Sequence, residues 1–123
     1  MDKRFQKSRK PVLLRIATVP SLFSLQLKGQ AIFMQQAGFE VHWVSSAAQG
    51  WIKWPIDEKP DAIHQINFSR EANPIRDILT FIKLYWLIRE VQPDIVHSHT
   101  PKGGLLGMWA AKLAGVRIRV HTL

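Results

Sequence analysis

The stretch from Pro93 to Gly104, PDIVHSHTPKGG, constrains this chain more than any other. A short apolar run of strand type ends there in imidazole, hydroxyl and glycine residues, and an apolar helix pattern follows from about Leu105 to Ala114. Strand, polar turn and helix form the repeating unit of an open parallel sheet, whose ligands collect outside the carboxyl ends of the strands. This junction is therefore the first place to look for a site.

The rest of the chain repeats the alternation. Leu13–Val19 reads as a first strand stopped by Pro20, and Leu27–Ala37 as a helix with Ile32, Phe33 and Ala37 available to an inner face, closed by Gly38. Glu40–Ser46 has the β-branched and aromatic bias of a second strand, and Ala62–Ile66 that of a third. Asn73 and Pro74 open the longest helix with a capping side chain followed by a proline at a position that needs no donor. Along it Ile75, Ile78, Ile82, Tyr85 and Leu87 or Ile88 recur at near-helical spacing, leaving Arg76, Asp77, Lys83, Arg89 and Glu90 for a wetter surface. A fourth strand starts at Ile95, Gly115 ends the next helix, and Val116–Thr122 is a fifth strand. Phe23–Leu27 and Ala47–Lys59 show no decisive period.

The predicted architecture is α/β: a three-layer, Rossmann-like domain with a mostly parallel five-stranded sheet in the order 3-2-1-4-5 and helices on both faces. An incomplete dinucleotide-binding domain and a noncatalytic α/β interaction module are the alternatives. Residues 1–11 read as a basic flexible tail and 12–123 as the domain. Because the sequence ends directly after a strand that needs cover on both faces, the domain is expected to be incomplete.

At 123 residues the chain builds one modest core. With no cysteine it has no disulfide, thiolate ligand or cysteine nucleophile. Its start lacks the pattern of a secretory signal, and no run reaches the roughly 20 apolar residues of a membrane span, so a cytoplasmic location is expected. The net charge of +8 is uneven: Lys3, Arg4, Lys7, Arg9, Lys10 and Arg15 stand against Asp2 in the first fifteen residues. Such a segment is either a solubilising tail or a partner for anionic lipid headgroups. Nucleic acid is not the expected partner, since neither zinc-finger spacing nor interleaved aromatic and basic residues accompanies the charge.

Within the Pro93–Gly104 junction, His97 and His99 share a face only if the strand continues to His99. A metal would need a third ligand; His121 on the next strand is the one candidate, and no metal is expected. A neutral imidazole meeting a sugar hydroxyl or a phosphate is more economical. Thr100, Pro101, Lys102, Gly103 and Gly104 offer a hydroxyl, a cation and flexible backbone at a helix entrance, suited either to a phosphate or sugar or simply to a capped turn. Lys28-Gly29-Gln30 is neither a dinucleotide-binding glycine fingerprint nor a phosphate-binding loop ending in Gly-Lys-Ser or Gly-Lys-Thr.

Leu25–Gln30, Ala37–Val41, Pro93–Gly107 and Ala110–Val116, taken in this order, resemble the amino-terminal portion of a bacterial family 4 glycosyltransferase, of the branch serving capsular, exopolysaccharide or lipopolysaccharide assembly. The resemblance covers roughly residues 12 to 123. It implies a two-lobed enzyme that transfers a sugar from a nucleotide sugar donor with retention at the anomeric carbon. The first lobe receives the acceptor, often a lipid-linked sugar, and the second supplies most donor contacts. Carried onto this sequence, it makes His99 the residue that orients the acceptor, with His97, Thr100 and Lys102 on the acceptor side. It also makes Lys28 and Gly29 a phosphate-facing loop, although Gln30 stands where the family often has a second glycine. The donor-binding lobe with its paired glutamates has no counterpart in these residues. The implied function is an acceptor-side fragment, inactive alone, whose donor lobe comes from the same gene or a partner chain. A partner-complemented split enzyme and a noncatalytic sugar-binding or assembly module are the alternatives. A peripheral place on an anionic membrane surface is also expected, with Trp51 and Trp54 as further contacts if exposed.

Overall fold

The computed structural model describes residues 10–18, 29–46, 59–68, 73–99 and 101–122, without the side chains of 101–103. Five strands, β1 (Val12–Ile16), β2 (Glu40–Ser45), β3 (Ala62–Gln65), β4 (Ile95–His99) and β5 (Ile118–Thr122), form one sheet in the order β3-β2-β1-β4-β5. Every pairing is parallel. Three helices are described: α1 (Gln30–Gln36), α2 (Pro74–Val91) and α3 (Pro101–Leu113). Strand order and fold class are those the alternation predicts.

β1 lies at the centre and all five of its residues are buried. Leu14 and Ile16 point to one face, where Val44, Val96, Leu84, Ile88, Ala110 and Ala111 form the larger core beneath α2 and α3. Ala17 points to the other, against Ala31, Val41 and Trp43, with Met34 of α1 packed on them. Burying a strand on both faces leaves room for little but apolar residues, which is why this segment carries no clean alternation.

Two aspartates fasten the sheet at its amino-terminal edge. The Val12 N–H donates to Asp94 Oδ2 at 2.7 Å while the Asp94 N–H donates to Val12 O at 2.9 Å. Asp61 does the same between β2 and β3: Val41 N–H to Asp61 Oδ2 at 2.7 Å, and Asp61 N–H to Val41 O at 2.8 Å. Each aspartate follows a proline, in Pro60-Asp61-Ala62-Ile63-His64 and Pro93-Asp94-Ile95-Val96-His97. Proline ends the preceding connection without a donor, and the carboxylate then caps the first inner N–H of the neighbouring strand.

The helix ends follow the sequence closely. Asn73 Oδ1 accepts from the Arg76 N–H at 3.1 Å, as the capping pattern predicts. Gly38 (φ +100°) and Gly115 (φ +81°) close α1 and α3 in the left-handed conformation that costs glycine least. In each case the next residue reaches back five positions, Phe39 N–H to Met34 O and Val116 N–H to Ala111 O, both at 3.0 Å.

Three expectations about helix faces and limits are corrected. On α1, Ala31 and Met34 face the sheet, whereas Ile32 and Phe33 are exposed. On α2, Thr80, Leu84 and Ile88 are buried and Ile75, Ile78 and Ile82 point outward. That helix carries two apolar stripes, one through Leu84 and Ile88 and one through Ile75, Ile78 and Ile82, so spacing alone does not choose its inner side. α3 starts at Pro101, not Leu105, which places Gly103 and Gly104 inside the helix. There Gly104 and Gly107 bring the helix backbone close to the sheet: a Cβ on Gly107 would lie 3.1 Å from Ile16 Cδ1, and one on Gly104 would collide with the His121 ring.

Replacing Asp94 by alanine strands the buried Val12 N–H and should cost roughly 1–3 kcal/mol, read as a lower urea midpoint at unchanged slope. Asp94→Asn keeps an acceptor oxygen and should lose less. Equal losses in the two variants would show that the carboxylate does not fasten β1 to β4.

Candidate functional site

In the order β3-β2-β1-β4-β5 the chain winds outward in both directions from β1, so the β1/β4 boundary is the topological switch point where α/β sheets open a crevice. Register places Arg15 of β1 directly beside His97 of β4 and Trp43 of β2. Strand β4 continues to His99, so His97 and His99 share a face, with ring centroids 4.2 Å apart and planes tilted by 33°. Arg15, His97 and His99 thus lie together on the α1 side of the sheet, toward the carboxyl end of its central strands.

Each group is held by neighbours. Arg15 Nη2 donates to Gln30 Oε1, the first residue of α1, at 3.3 Å, and its side chain is buried. His97 Nε2 lies 2.7 Å from Thr122 Oγ1 on β5. His99 is 5% exposed. Burial lowers its pKa to about 4, with help from His97, Arg15 and His121, and His97 is lowered by burial and then by Arg15 and His121. Both rings are therefore neutral near pH 7. A neutral imidazole orients hydroxyls as donor or acceptor without adding charge, while Arg15 supplies a fixed cation to the same face.

His121 does not join them. It lies on the opposite face, with Nδ1 2.9 Å from Ser98 Oγ and 3.2 Å from Ser98 O, and its ring lies against Gly104. Strand alternation is the reason: register pairs His121 with Ser98, not with His97 or His99. Among the described residues no three His, Asp or Glu side chains gather to hold a metal ion.

His42 and His64 form a separate cluster. Glu40 Oε2 lies 2.6 Å from His42 Nε2, and His42 Nδ1 lies 2.9 Å from His64 Nε2. The two rings are within 10° of parallel with centroids 5.2 Å apart, the geometry of an edge-to-edge hydrogen bond rather than a stack. Burial and then the neighbouring His42 lower the His64 pKa, against Glu90. His64 lines an open groove of about 620 Å³ between β3 and α2, with Gln65, Lys83, Trp86 and Glu90. It shares the face of its register partner Val44, on the α2 side, away from His97 and His99.

Of the residues singled out from sequence, the structure brings His97 and His99 together. Gly29 is the N-cap of α1 with φ +86°, and Lys102 falls in the first turn of α3. Lys28, Thr100, Trp51 and Trp54 lie outside the described residues, as does the tail up to Arg9. Arg15 escaped attention as a site residue. Its signal was a lone cation within Leu13–Val19, a run otherwise suited to a strand buried on both faces.

This strand order and switch point are shared by doubly wound α/β folds of many functions, and the comparisons narrow the choice. The glycosyl transferase 4-like family profile matches residues 14–123, and the chain belongs to that family. A relative from Escherichia coli, UDP-Gal:alpha-D-GlcNAc-diphosphoundecaprenol alpha-1,3-galactosyltransferase, is 40% identical over 68 residues, covering 55% of this chain and 18% of its own length. The capsular polysaccharide biosynthesis glycosyltransferase CapM of Staphylococcus aureus is 29% identical over 111 residues, covering 90% of this chain and 28% of its own. The chain thus spans less than a third of the length of these relatives. Among solved structures, a UDP-N-acetylglucosamine 2-epimerase superposes with TM-score 0.69 at 15% identity, covering 93% of this chain and 33% of that one. MurG of Acinetobacter baumannii superposes with TM-score 0.62 at 20% identity, covering 92% and 34%. At such identities the structures show a shared fold.

The neutral histidines carry a pH signature. His99 titrates near 4 in the folded chain against an ordinary 6.5, so the unfolded chain binds the extra proton first. Stability should be full above pH 6.5 and fall as the pH drops toward 4, with His97 and His64 adding to the same trend. Urea midpoints measured across this window should decline, and His99→Gln should flatten part of the decline. An unchanged slope in the variant would remove His99 from the account.

Proposed function

We propose that this chain forms the acceptor-side part of a retaining glycosyltransferase that uses a nucleotide sugar donor and a lipid-linked glycan acceptor. The observation that carries the reading is a family match across residues 14–123 on a sheet whose switch point gathers His97, His99 and Arg15. The E. coli relative's name specifies a UDP-sugar donor and a diphosphoundecaprenol-linked acceptor, which supports both substrate classes.

In this reading the acceptor sugar sits at the carboxyl end of β4. His99 orients its hydroxyl through a neutral ring, and His97, Thr100 and Lys102 complete the acceptor side. Lys28 and Gly29 face phosphate across the crevice, and the Arg15 cation favours the negative charge of a diphosphate there. The acceptor oxygen bonds to the anomeric carbon as the bond from that carbon to the nucleoside diphosphate breaks; the hydroxyl proton passes to the departing diphosphate oxygen on the same face of the sugar, and the nucleoside diphosphate leaves. Stabilising that transition state requires groups around both reactants, so these 123 residues by themselves bind acceptor without turnover until a donor-binding lobe, in the same gene or on a partner chain, closes the crevice. The enzyme works in the cytoplasm, peripherally on the anionic inner face of the cell membrane, with the basic residues 1–11 adding attraction.

The test is transfer from nucleotide sugars to lipid-linked acceptors, with the chain alone and joined to the donor lobe of a relative. Turnover is expected only in the joined form, where His99→Ala should lower it roughly 100-fold, whereas His42→Ala and His64→Ala leave it within about threefold. Transfer by the isolated chain would refute the half-site account. Acceptor binding with no transfer in any joined form would favour a noncatalytic sugar-binding module.

A further inference from the structure

The groove between β3 and α2 lies away from the β1/β4 crevice and takes no part in the transfer described above. At about 620 Å³ it falls within the roughly 300–1,000 Å³ of small-ligand clefts. Lys83, Trp86, Leu87 and Glu90 follow the spacing of one helix side, and α2 turns that side toward β3, the terminal strand of the described sheet, which contributes His64. Leu87 packs on the core, while the Trp86 indole is 62% exposed. Apolar lining with a few polar groups around it is the composition of a ligand site.

The hydrogen bonds behind His64 fix what it offers a ligand. A carboxylate only accepts, so Glu40 Oε2 takes its bond from the His42 Nε2–H, and in the neutral pair His42 Nδ1 then accepts from the His64 Nε2–H. His64 Nδ1 is left with a lone pair and, among the described residues, no donor to fill it. The groove therefore calls for a ligand that donates at this point. Charge narrows the ligand further: Lys83 and Glu90 cancel, and the Glu90 carboxylate opposes the effect of burial on His64. Among the described residues neither Lys83 nor Glu90 makes a side-chain hydrogen bond, so one donor and one acceptor stand ready beside the indole. A nucleoside diphosphate would set its charges against Glu90 with a single lysine to offset them. A neutral polyhydroxyl ligand meets every group, since a hydroxyl both donates and accepts and a sugar ring has an apolar C–H face for the indole.

We infer that the groove between β3 and α2 is a second binding site, for a neutral glycan whose ring stacks on Trp86 while its hydroxyls donate to His64 Nδ1 and Glu90 and accept from Lys83. Register separates it from the crevice: His64 shares the face of Val44, whereas His97 and His99 lie on the α1 side. A glycan held here is not the reacting sugar. The site goes beyond the proposed transfer and stands on the chemistry of the groove alone.

Saturation-transfer NMR titrations of the full chain test the site with triacetylchitotriose, lactose and maltotriose, neutral probes that carry neither phosphate nor lipid. At least one should bind, and Trp86→Ala should weaken it about tenfold or more, with circular dichroism unchanged because the indole is exposed. His64→Gln keeps an acceptor oxygen and should lose less affinity than His64→Leu. Failure of all the probes to bind the wild-type chain would overturn the site, as would equal affinity in the wild type and Trp86→Ala. Binding lost in His99→Ala but kept in Trp86→Ala would put the glycan in the crevice instead. Equal losses in His64→Gln and His64→Leu would remove His64 Nδ1 from the site, and with it the hydrogen bonding that selects a hydroxyl ligand.

Discussion

The register between β1 and β4 is the constraint on which the site depends. Asp94 exchanges two hydrogen bonds with Val12, and from that anchor each step along the ladder is determined: Leu13 beside Ile95, Leu14 beside Val96, Arg15 beside His97. Side chains alternate in a strand, so a slip of one residue would carry the histidines from the α1 side to the face beneath α3. A slip of two would keep the face but separate the guanidinium from the rings. The neutral state of His97 and His99 follows from the same placement, because burial and the nearby Arg15 both oppose a proton there.

Much of this was readable from residue order. Gly38, Asn73-Pro74, Pro93 and Gly115 punctuate the chain at fixed stereochemical needs, and those needs do not depend on the tertiary fold. The shared face of His97 and His99 turned on one residue of strand length. The inner face of α2 was not readable, because Ile75, Ile78 and Ile82 describe a stripe as regular as that of Leu84 and Ile88. Burial there is decided by which side meets Val44, Val96 and Ala110, a long-range fact. Gly103-Gly104 misled in another way: a glycine pair reads as a turn, yet Gly104 serves close approach between α3 and the ring of His121. The Pro-Asp clamps were visible as a repeated dipeptide, but their meaning appears only when each is seen beside the strand it caps.

The sheet also separates two kinds of chemistry. On the α1 side buried polar groups converge near the strand ends; on the other, the cores of α2 and α3 are ordinary and their outward surfaces are not. His64, on this second side, hydrogen-bonds through His42 to Glu40, so its tautomer is set by a carboxylate two residues upstream of His42 rather than by the His97 and His99 pair. Strand alternation makes the division possible: neighbouring residues such as His97 and Ser98 belong to different surfaces while sharing one backbone.

The bond between Val12 and Asp94 joins residues 82 positions apart. During synthesis β1 emerges long before its second neighbour exists, and at ribosomal rates of about 5–20 residues per second the wait lasts roughly 4–16 s. β2 arrives sooner and covers one edge, yet the edge that will receive β4 stays open, with Leu13 and Leu14 in a strand destined for complete burial. Parallel pairing offers no local hairpin to shorten that interval. The strand that organises the finished molecule is thus made early and waits with one edge open until the residues around Asp94 are made.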